Sequence, residues 1–229
     1  MAGLLLFFMP NFVLGSQSPR RKTLFGLLGV PFEVRVADVN EESVTHPEPA
    51  VNVVETAVLK TTALTHTIPS ADHTILITAD TTVALGKTML GKPKNAHEAR
   101  AMLLALRDRT HEVHTGLVLL DNQSGEMLRF VNSSMVTMRY YSDAEIEAYI
   151  ATGDPLDKAG AYAIQHPAFR PVSRLDGCFT GVMGLSVCQL IQAFRQWQLP
   201  HQVDLTAVSH AHANYPCPLL STLTTSSSR

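Results

Sequence analysis

Cysteine is scarce in this chain, and what there is does not pair. Cys178, Cys188 and Cys217 are odd in number and lack any CxxC spacing. This excludes a disulfide framework, gives no sign of a cysteine-rich zinc site, and fits a reducing, cytoplasmic compartment. Long apolar runs are also missing. Met1–Met9 is apolar, but Pro10 and Asn11 break it, no basic residue precedes it, and the arginines come only after Ser18. It lacks the charge order of a signal peptide and is too short to cross a bilayer as a helix. Residues 1–10 are therefore read as a nonessential apolar extension, with no stable membrane association expected. Neither sign of charge predominates: 18 Lys and Arg stand against 20 Asp and Glu, a net charge of -2. That argues against a nucleic-acid polymer as partner, while leaving room for a local basic pocket that takes a small anion.

Several marks of function are absent as well. Gly86-Lys87-Thr88 supplies the end of a Walker A motif, but the glycine required five positions earlier is Thr81. Ser186, in Gly184-Leu185-Ser186-Val187, lacks the glycine of a nucleophile elbow. No solenoid repeat is visible. The histidines have no zinc spacing, and His210 and His212 in a polar tail are a weak ligand signal.

What is present begins with enough apolar residues, 45% of 229, for a well-buried core in one large domain or two lobes. The chain is organised around Thr74 to Pro93. Ile75-Leu76-Ile77 reads as a strand buried on both faces, with Asp80 where the apolar run ends and a second extended piece from Thr81 to Leu85. Asp80 is either a turn carboxylate satisfied by its own loop or a catalytic one.

Phe12-Val13-Leu14 is the first core strand. Ser18 then reads as a helix N-cap with Pro19 at the first helical position, and Leu24, Leu27 and Leu28 give that helix an apolar face. The Ser16 hydroxyl, the Arg20 guanidinium and the N-H groups of the helix start suit phosphate oxygens. Phe32–Val36 alternates as a strand and leads to the acidic loop Asp38-Val39-Asn40-Glu41-Glu42, which is either a ligand loop for a divalent cation or a solvated edge. A helical period from Ala50 to about Thr67 carries Lys60. Capping boxes at Asn95–Glu98 and Ser142–Glu145 start two further helices, with His97 an exposed first-turn residue. Between them, Val113–Leu120 and Met127–Met138 read as antiparallel strands, and a last helix covers about Leu185 to Gln198. Gly153 to Gln165 is rich in glycine and charge yet carries Tyr162 and Ile164, as a binding loop would. Gln165 offers both an amide donor and a carbonyl acceptor, for a base edge or for its own loop. Residues 199–229 read as a flexible tail without a packing pattern.

Four pieces in order, Leu14-Gly-Ser-Gln-Ser-Pro-Arg-Arg21, Ala79-Asp80-Thr81, Gly91-Lys92-Pro93 and Asp157-Lys-Ala-Gly-Ala-Tyr-Ala-Ile-Gln165, resemble the Maf family of nucleoside triphosphate pyrophosphatases. The resemblance spans residues 11–198. It implies an α/β fold, a mixed twisted sheet flanked by helices with a cleft between two lobes, similar to the inosine-triphosphate pyrophosphatases, and commonly a homodimer. It implies hydrolysis of a nucleoside triphosphate between the α and β phosphates. Asp80 matches the family's proton acceptor. Arg20, Thr81 and Gln165 match the combination of the branch preferring dTTP and UTP, where the 7-methyl-GTP branch has Trp, Gln and Glu. Ser16, Lys60, Lys92, Asp157 and Lys158 match further polar positions that bind substrate. Glu41 and Asp80 become the candidate ligands of a divalent cation, Mg²⁺ or Mn²⁺. The sequence departs from the family at His166-Pro167-Ala168, at Cys178-Phe179 and at Ser186, changes that bear on the base pocket more than on hydrolysis. Alternatives are a broad-specificity or modified-nucleotide pyrophosphatase, and a nucleotide-binding regulator without catalysis.

Overall fold

The computed structural model describes residues 9–69 and 72–225. The apolar extension therefore lies outside the described residues, save Met9 and Pro10. A seven-stranded sheet is built from β1 (Asn11–Leu14), β2 (Glu33–Val34), β3 (Thr74–Leu85), β4 (Thr88–Leu90), β5 (Thr110–Asp121), β6 (Met127–Met138) and β7 (Val172–Asp176). Its order is β2-β1-β3-β5-β6-β7, with β4 paired to the far end of β3. β1 runs parallel to β2 and β3, whereas the other pairings are antiparallel. The mixed sheet follows from the connections. The crossover from β1 to β3 contains two helices, α1 (Pro19–Gly26) and α2 (Pro49–Thr65), while β5 and β6 are joined by a tight turn.

The helices flank both faces. On one, α2 lays Leu64 against Val13, Leu76 and Leu120. Gly116 lets it come close: a Cβ there would lie 2.5 Å from the Val53 carbonyl oxygen. On the other face, β1 and the first half of β3 contribute Phe12, Leu14, Ile75 and Ile77 to a core shared with Leu24 and Phe25 of α1 and with α6 (Val187–Gln196). Phe12 stacks on Phe194 at 5.1 Å. A second core, around Val83, Val113 and Val136 at the other end of the long strands, is closed by α3 (Ala96–Leu106), α4 (Asp143–Ala151) and Phe169. β3, β5 and β6 thus pass through both cores, giving the expected two-lobed α/β architecture.

Local signals behave as the residues dictate, with two differences. Ser142 and Glu145 form a reciprocal capping box. Asn95 caps Glu98 N-H, but the Glu98 carboxylate reaches one residue further back, to the Lys94 N-H at 2.8 Å. The larger correction concerns residues 199–225, residues 226–229 lying outside the described ones. Rather than a flexible tail, α7 (Leu205–His210) and α8 (Pro218–Thr225) bury Val208, His212, Cys217 and Leu223, and Gln202 N-H donates to the Leu28 carbonyl at 2.8 Å. Three leucines of α8 reach the first core despite a Ser- and Thr-rich sequence. Phe179, opening the short helix α5 (Phe179–Val182), stacks on Tyr215. The three free cysteines are all buried beside His212, although their spacing gives no hint of it. Among the described residues, no helix is long and apolar enough to cross a membrane.

His111, on β5, is 2% exposed and its Nε2 lies 2.8 Å from the Tyr162 hydroxyl. Burial pushes its pKa down to about 4, so the native ring is neutral where the unfolded one takes a proton. The contribution to stability is complete above the ordinary histidine value of about 6.5 and is lost as pH falls from there toward 4. Urea unfolding at stepped pH should show wild-type stability falling by about 1–3 kcal/mol more than that of His111→Phe across this window. Parallel curves for the two proteins would exclude the effect.

Candidate active site

The cleft originates in a gap beside β3. β1 pairs with it only from Thr74 to Ile77, and β4 only from Val83 to Leu85. Between them β3 has no strand neighbour on that side among the described residues, while β5 pairs along its other edge from Ile75 to Ala84. Asp80 and Thr81 sit in the gap, and the period of two sends them to opposite faces. A cleft of about 890 Å³ opens there and is lined by all ten residues singled out in the sequence: Ser16, Arg20, Glu41, Lys60, Asp80, Thr81, Lys92, Asp157, Lys158 and Gln165.

On the α2 face, Lys60 Nζ lies 2.7 Å from Asp80 Oδ1 and 2.8 Å from Glu41 Oε2. Lys60 is nearly buried, so its ammonium needs these partners. The close approach of α2 at Gly116, which is paired in register with Asp80, brings Lys60 within reach. Glu41 belongs to a 3-10 turn, Glu41–Ser43, whose start is fixed by the Asn40 side chain accepting the Glu42 N-H at 3.2 Å. The acidic loop is thus a cleft wall rather than a merely solvated edge. Glu41 from this loop and Asp80 from β3 converge as hard oxygen donors lining an open volume, a donor set that fits Mg²⁺ or Mn²⁺.

On the other face, Arg21 closes the open edge. Its Nη1 donates to the Ala79 carbonyl at 2.8 Å, its Nε to the Gly184 carbonyl at 2.8 Å, and its Nη2 to Thr81 Oγ1 at 3.1 Å. Desolvation lowers its pKa from the ordinary arginine value, with Asp80 and Glu41 opposing. Thr115 donates its only hydroxyl proton to the Gly181 carbonyl at 2.9 Å, so in the 2.8 Å contact between Thr81 and Thr115 the donor is Thr81. The Thr81 hydroxyl is therefore fixed as donor to Thr115 and acceptor from Arg21. It has no proton left for a ligand.

Ser18 caps α1 with Pro19 following, as the sequence predicts. Ser16 Oγ accepts the Ser18 N-H at 3.2 Å and Arg21 Nη1 at 3.4 Å, which leaves the serine proton free for an anion. Arg20 faces Asp157 at 3.5 Å, and Lys92 is exposed at the rim. Lys158 differs from its neighbours. It is buried, and its ammonium donates to the Asp154 carbonyl and to the carboxylates of Asp154 and Asp157, which occupies all three protons. It holds the loop rather than offering a free cation. Gly160, at φ 68 and packed against Val83, donates to the Gly91 carbonyl and ties the same loop to the β4 turn. Gln165 is half-buried, and its amide makes no hydrogen bond among the described residues, so it does not serve to tie its own loop. His166 Nδ1 accepts the Phe169 N-H at 2.9 Å and its ring packs on Tyr149, outside the cleft.

The site residue that sequence reasoning missed is Arg21. It stands in the first motif without being singled out, and the available signal is the cost of placing Arg20, Arg21 and Lys22 at a helix start without a partner.

A family profile described as "Maf-like protein" matches residues 11–197. The dTTP/UTP pyrophosphatase of Bacillus cytotoxicus is 39% identical over 189 residues, covering 82% of this chain and 96% of its own. That of Dictyoglomus turgidum is 38% identical over 178 residues, covering 78% and 91%. Among solved structures, the Staphylococcus aureus Ham1 protein covers 82% of this chain and 99% of its own, at 15% identity and a TM-score of 0.44, too low to support an argument.

Arg21→Lys should lower the unfolding free energy by about 1–3 kcal/mol in urea, because an ammonium cannot serve the Ala79 and Gly184 carbonyls and Thr81 from one plane. Unchanged stability would mean that the fork does not hold the strand edge.

Proposed function

The chain belongs to the Maf-like protein family, and we propose that its cleft hydrolyses dTTP and UTP to the nucleoside monophosphate and pyrophosphate. The observation that carries this reading is the Glu41–Lys60–Asp80 cluster at the gap in β3, with Ser16 and Arg20 on one lobe and the unpaired amide of Gln165 on the other. The similarity to proteins named dTTP/UTP pyrophosphatase supports it.

In this reading the triphosphate lies across the gap. Ser16 Oγ and Arg20 bind phosphate oxygens, and Lys92 at the rim neutralises the leaving pyrophosphate. Asp80 accepts the proton of a water that attacks the α phosphorus in line with the leaving group. Lys60 holds the Asp80 carboxylate in place and balances its charge. Glu41 and Asp80 are the residues that would hold Mg²⁺ or Mn²⁺, which when bound supplies charge stabilisation to the phosphate oxygens. Gln165 pairs with the base edge, using donor and acceptor together. Thr81, with its proton already spent, acts on the base through its size and by fixing Arg21. Because His166 is tied to Phe169 and Tyr149, the departure at His166-Pro167 leaves Gln165 facing the cleft.

Asp80→Asn should retain the fold and nucleotide binding while lowering kcat by about 10²-fold or more. Full pyrophosphate release by folded, metal-supplied D80N would remove Asp80 from the chemistry. EDTA should abolish turnover and excess Mg²⁺ or Mn²⁺ restore it, whereas undiminished hydrolysis in chelator would reject a metal-assisted reaction.

Specificity is read from kcat/KM over dTTP, UTP, CTP, dCTP, GTP, 7-methyl-GTP, ITP and ATP. dTTP and UTP should lead the panel, and Gln165→Ala should compress the ranking, since an amide left unpaired by the wrong base supplies the discrimination. Equal values across the wild-type panel would favour the broad-specificity alternative, and absence of pyrophosphate release from every nucleotide would favour a binding regulator.

A further inference from the structure

Behind the cleft wall, the C-terminal part of the chain brings Cys178, Cys188, His212 and Cys217 together. Their ligand atoms all lie within 4.8 Å of one another, and all four residues are buried. We propose that they form a structural zinc site that staples the two C-terminal helices to the body of the domain.

The distances are those of a ligand shell. Zn–S bonds of about 2.3 Å and a Zn–N bond of about 2.0 Å in a tetrahedron place sulfur about 3.5 Å from nitrogen and about 3.8 Å from sulfur. His212 Nε2 lies 3.6 Å from both Cys178 Sγ and Cys188 Sγ, and Cys188 Sγ lies 4.0 Å from Cys217 Sγ. The sulfurs are too far apart for a disulfide and close enough for one ion to bridge. The imidazole is oriented for this role. Its Nδ1 lies 2.8 Å from the Val208 carbonyl oxygen and must carry the proton there, which leaves the Nε2 lone pair facing the sulfurs.

The surroundings of Cys178 suit a thiolate. Thr180 Oγ1, 3.2 Å away, accepts the Val187 N-H, and Ser186 Oγ, 3.6 Å away, accepts the Gln189 N-H. Both hydroxyl protons are thereby free to point at the sulfur. Three thiolates and a neutral imidazole bind Zn²⁺ with release of three thiol protons to solvent. Four protein ligands leave no open position, so the site is structural rather than catalytic, and soft sulfur donors select zinc over Mg²⁺. Cys178 precedes α5, whose Gly181 carbonyl receives Thr115, and Cys188 lies in α6; the staple therefore backs the wall against which Arg21 is held.

The test uses the full-length, untagged protein expressed with zinc and purified without chelator. Elemental analysis should find about one zinc per chain, and replacement by Co²⁺ should give the visible bands of a tetrahedral ion together with thiolate-to-cobalt charge transfer. Stripping the metal should expose three titratable thiols and lower Tm by roughly 5–15 °C, restored by Zn²⁺ but not by Mg²⁺. Cys217→Ser should reduce zinc content and the Tm response together; should it fail to fold, the cobalt spectrum of the wild type decides. No zinc in the purified protein with no cobalt spectrum on reconstitution would overturn the proposal. So would a Cys188–Cys217 disulfide in the peptide map of the native protein.

Discussion

One edge of one strand is left without a partner, and the cleft depends on it. Over Thr78 to Thr82, β3 has β5 on one side and, among the described residues, no strand on the other. Unpaired backbone in a domain centre is costly, so something other than a strand must satisfy it. Arg21 does so at Ala79, and the same guanidinium reaches across to Gly184, joining the strand edge to the turn before α6. Where a neighbour strand would have filled the space, a ligand can enter. Because successive side chains alternate, the opening exposes Asp80 on one face of the sheet and Thr81 on the other. The Glu41–Lys60–Asp80 cluster and the Arg21–Thr81–Thr115 chain are thereby kept apart by the thickness of a backbone.

Charge in the cleft is arranged in triads rather than as a simple basic patch. Lys60 is shared by Glu41 and Asp80, and Asp157 is shared by Arg20 and Lys158. Each arrangement holds its members at a defined place without a large net field, in keeping with a chain whose overall charge is close to neutral. A buried lysine with two carboxylates is paired, and its desolvation is offset by hydrogen bonds at 2.7 and 2.8 Å. An incoming anion meets positions already set by the fold.

Much of this was legible in the residues. The apolar run ending at Asp80, the Ser18-Pro19 helix start, the Ser142 capping box and the antiparallel pair β5 and β6 follow from local rules that short segments obey on their own. The ordered motifs hold eight of the ten singled-out residues that line the cleft, Glu41 and Lys60 lying outside them, and they do not say what each does. Lys158 looks like a free cation in sequence and proves to be spent on its own loop. Arg21 looks like a surface charge, yet a helix turns neighbouring residues by about 100°, so it faces the strand edge while Arg20 faces Asp157. The C-terminal helices were illegible because three leucines of α8 find their partners on α6, far back in the chain. The Cys and His cluster was hidden because no two of its cysteines have knuckle spacing: Cys178 precedes α5, Cys188 lies in α6, and His212 and Cys217 lie between α7 and α8.

The three longest strands, β3, β5 and β6, have twelve residues each and run through both hydrophobic cores. The lobes therefore have no hinge peptide between them; their joint is a continuous hydrogen-bonded sheet. Rotation of one lobe against the other would have to bend three strands at once and strain both cores, which makes jaw-like closure mechanically stiff. The parts able to adjust to a guest are those attached at one end of the sheet only, the turn carrying Glu41 and the loop from Asp157 to Gln165. Recognition on such a frame is that of a rigid mould with two trimmed edges, in which fit is decided before the guest arrives.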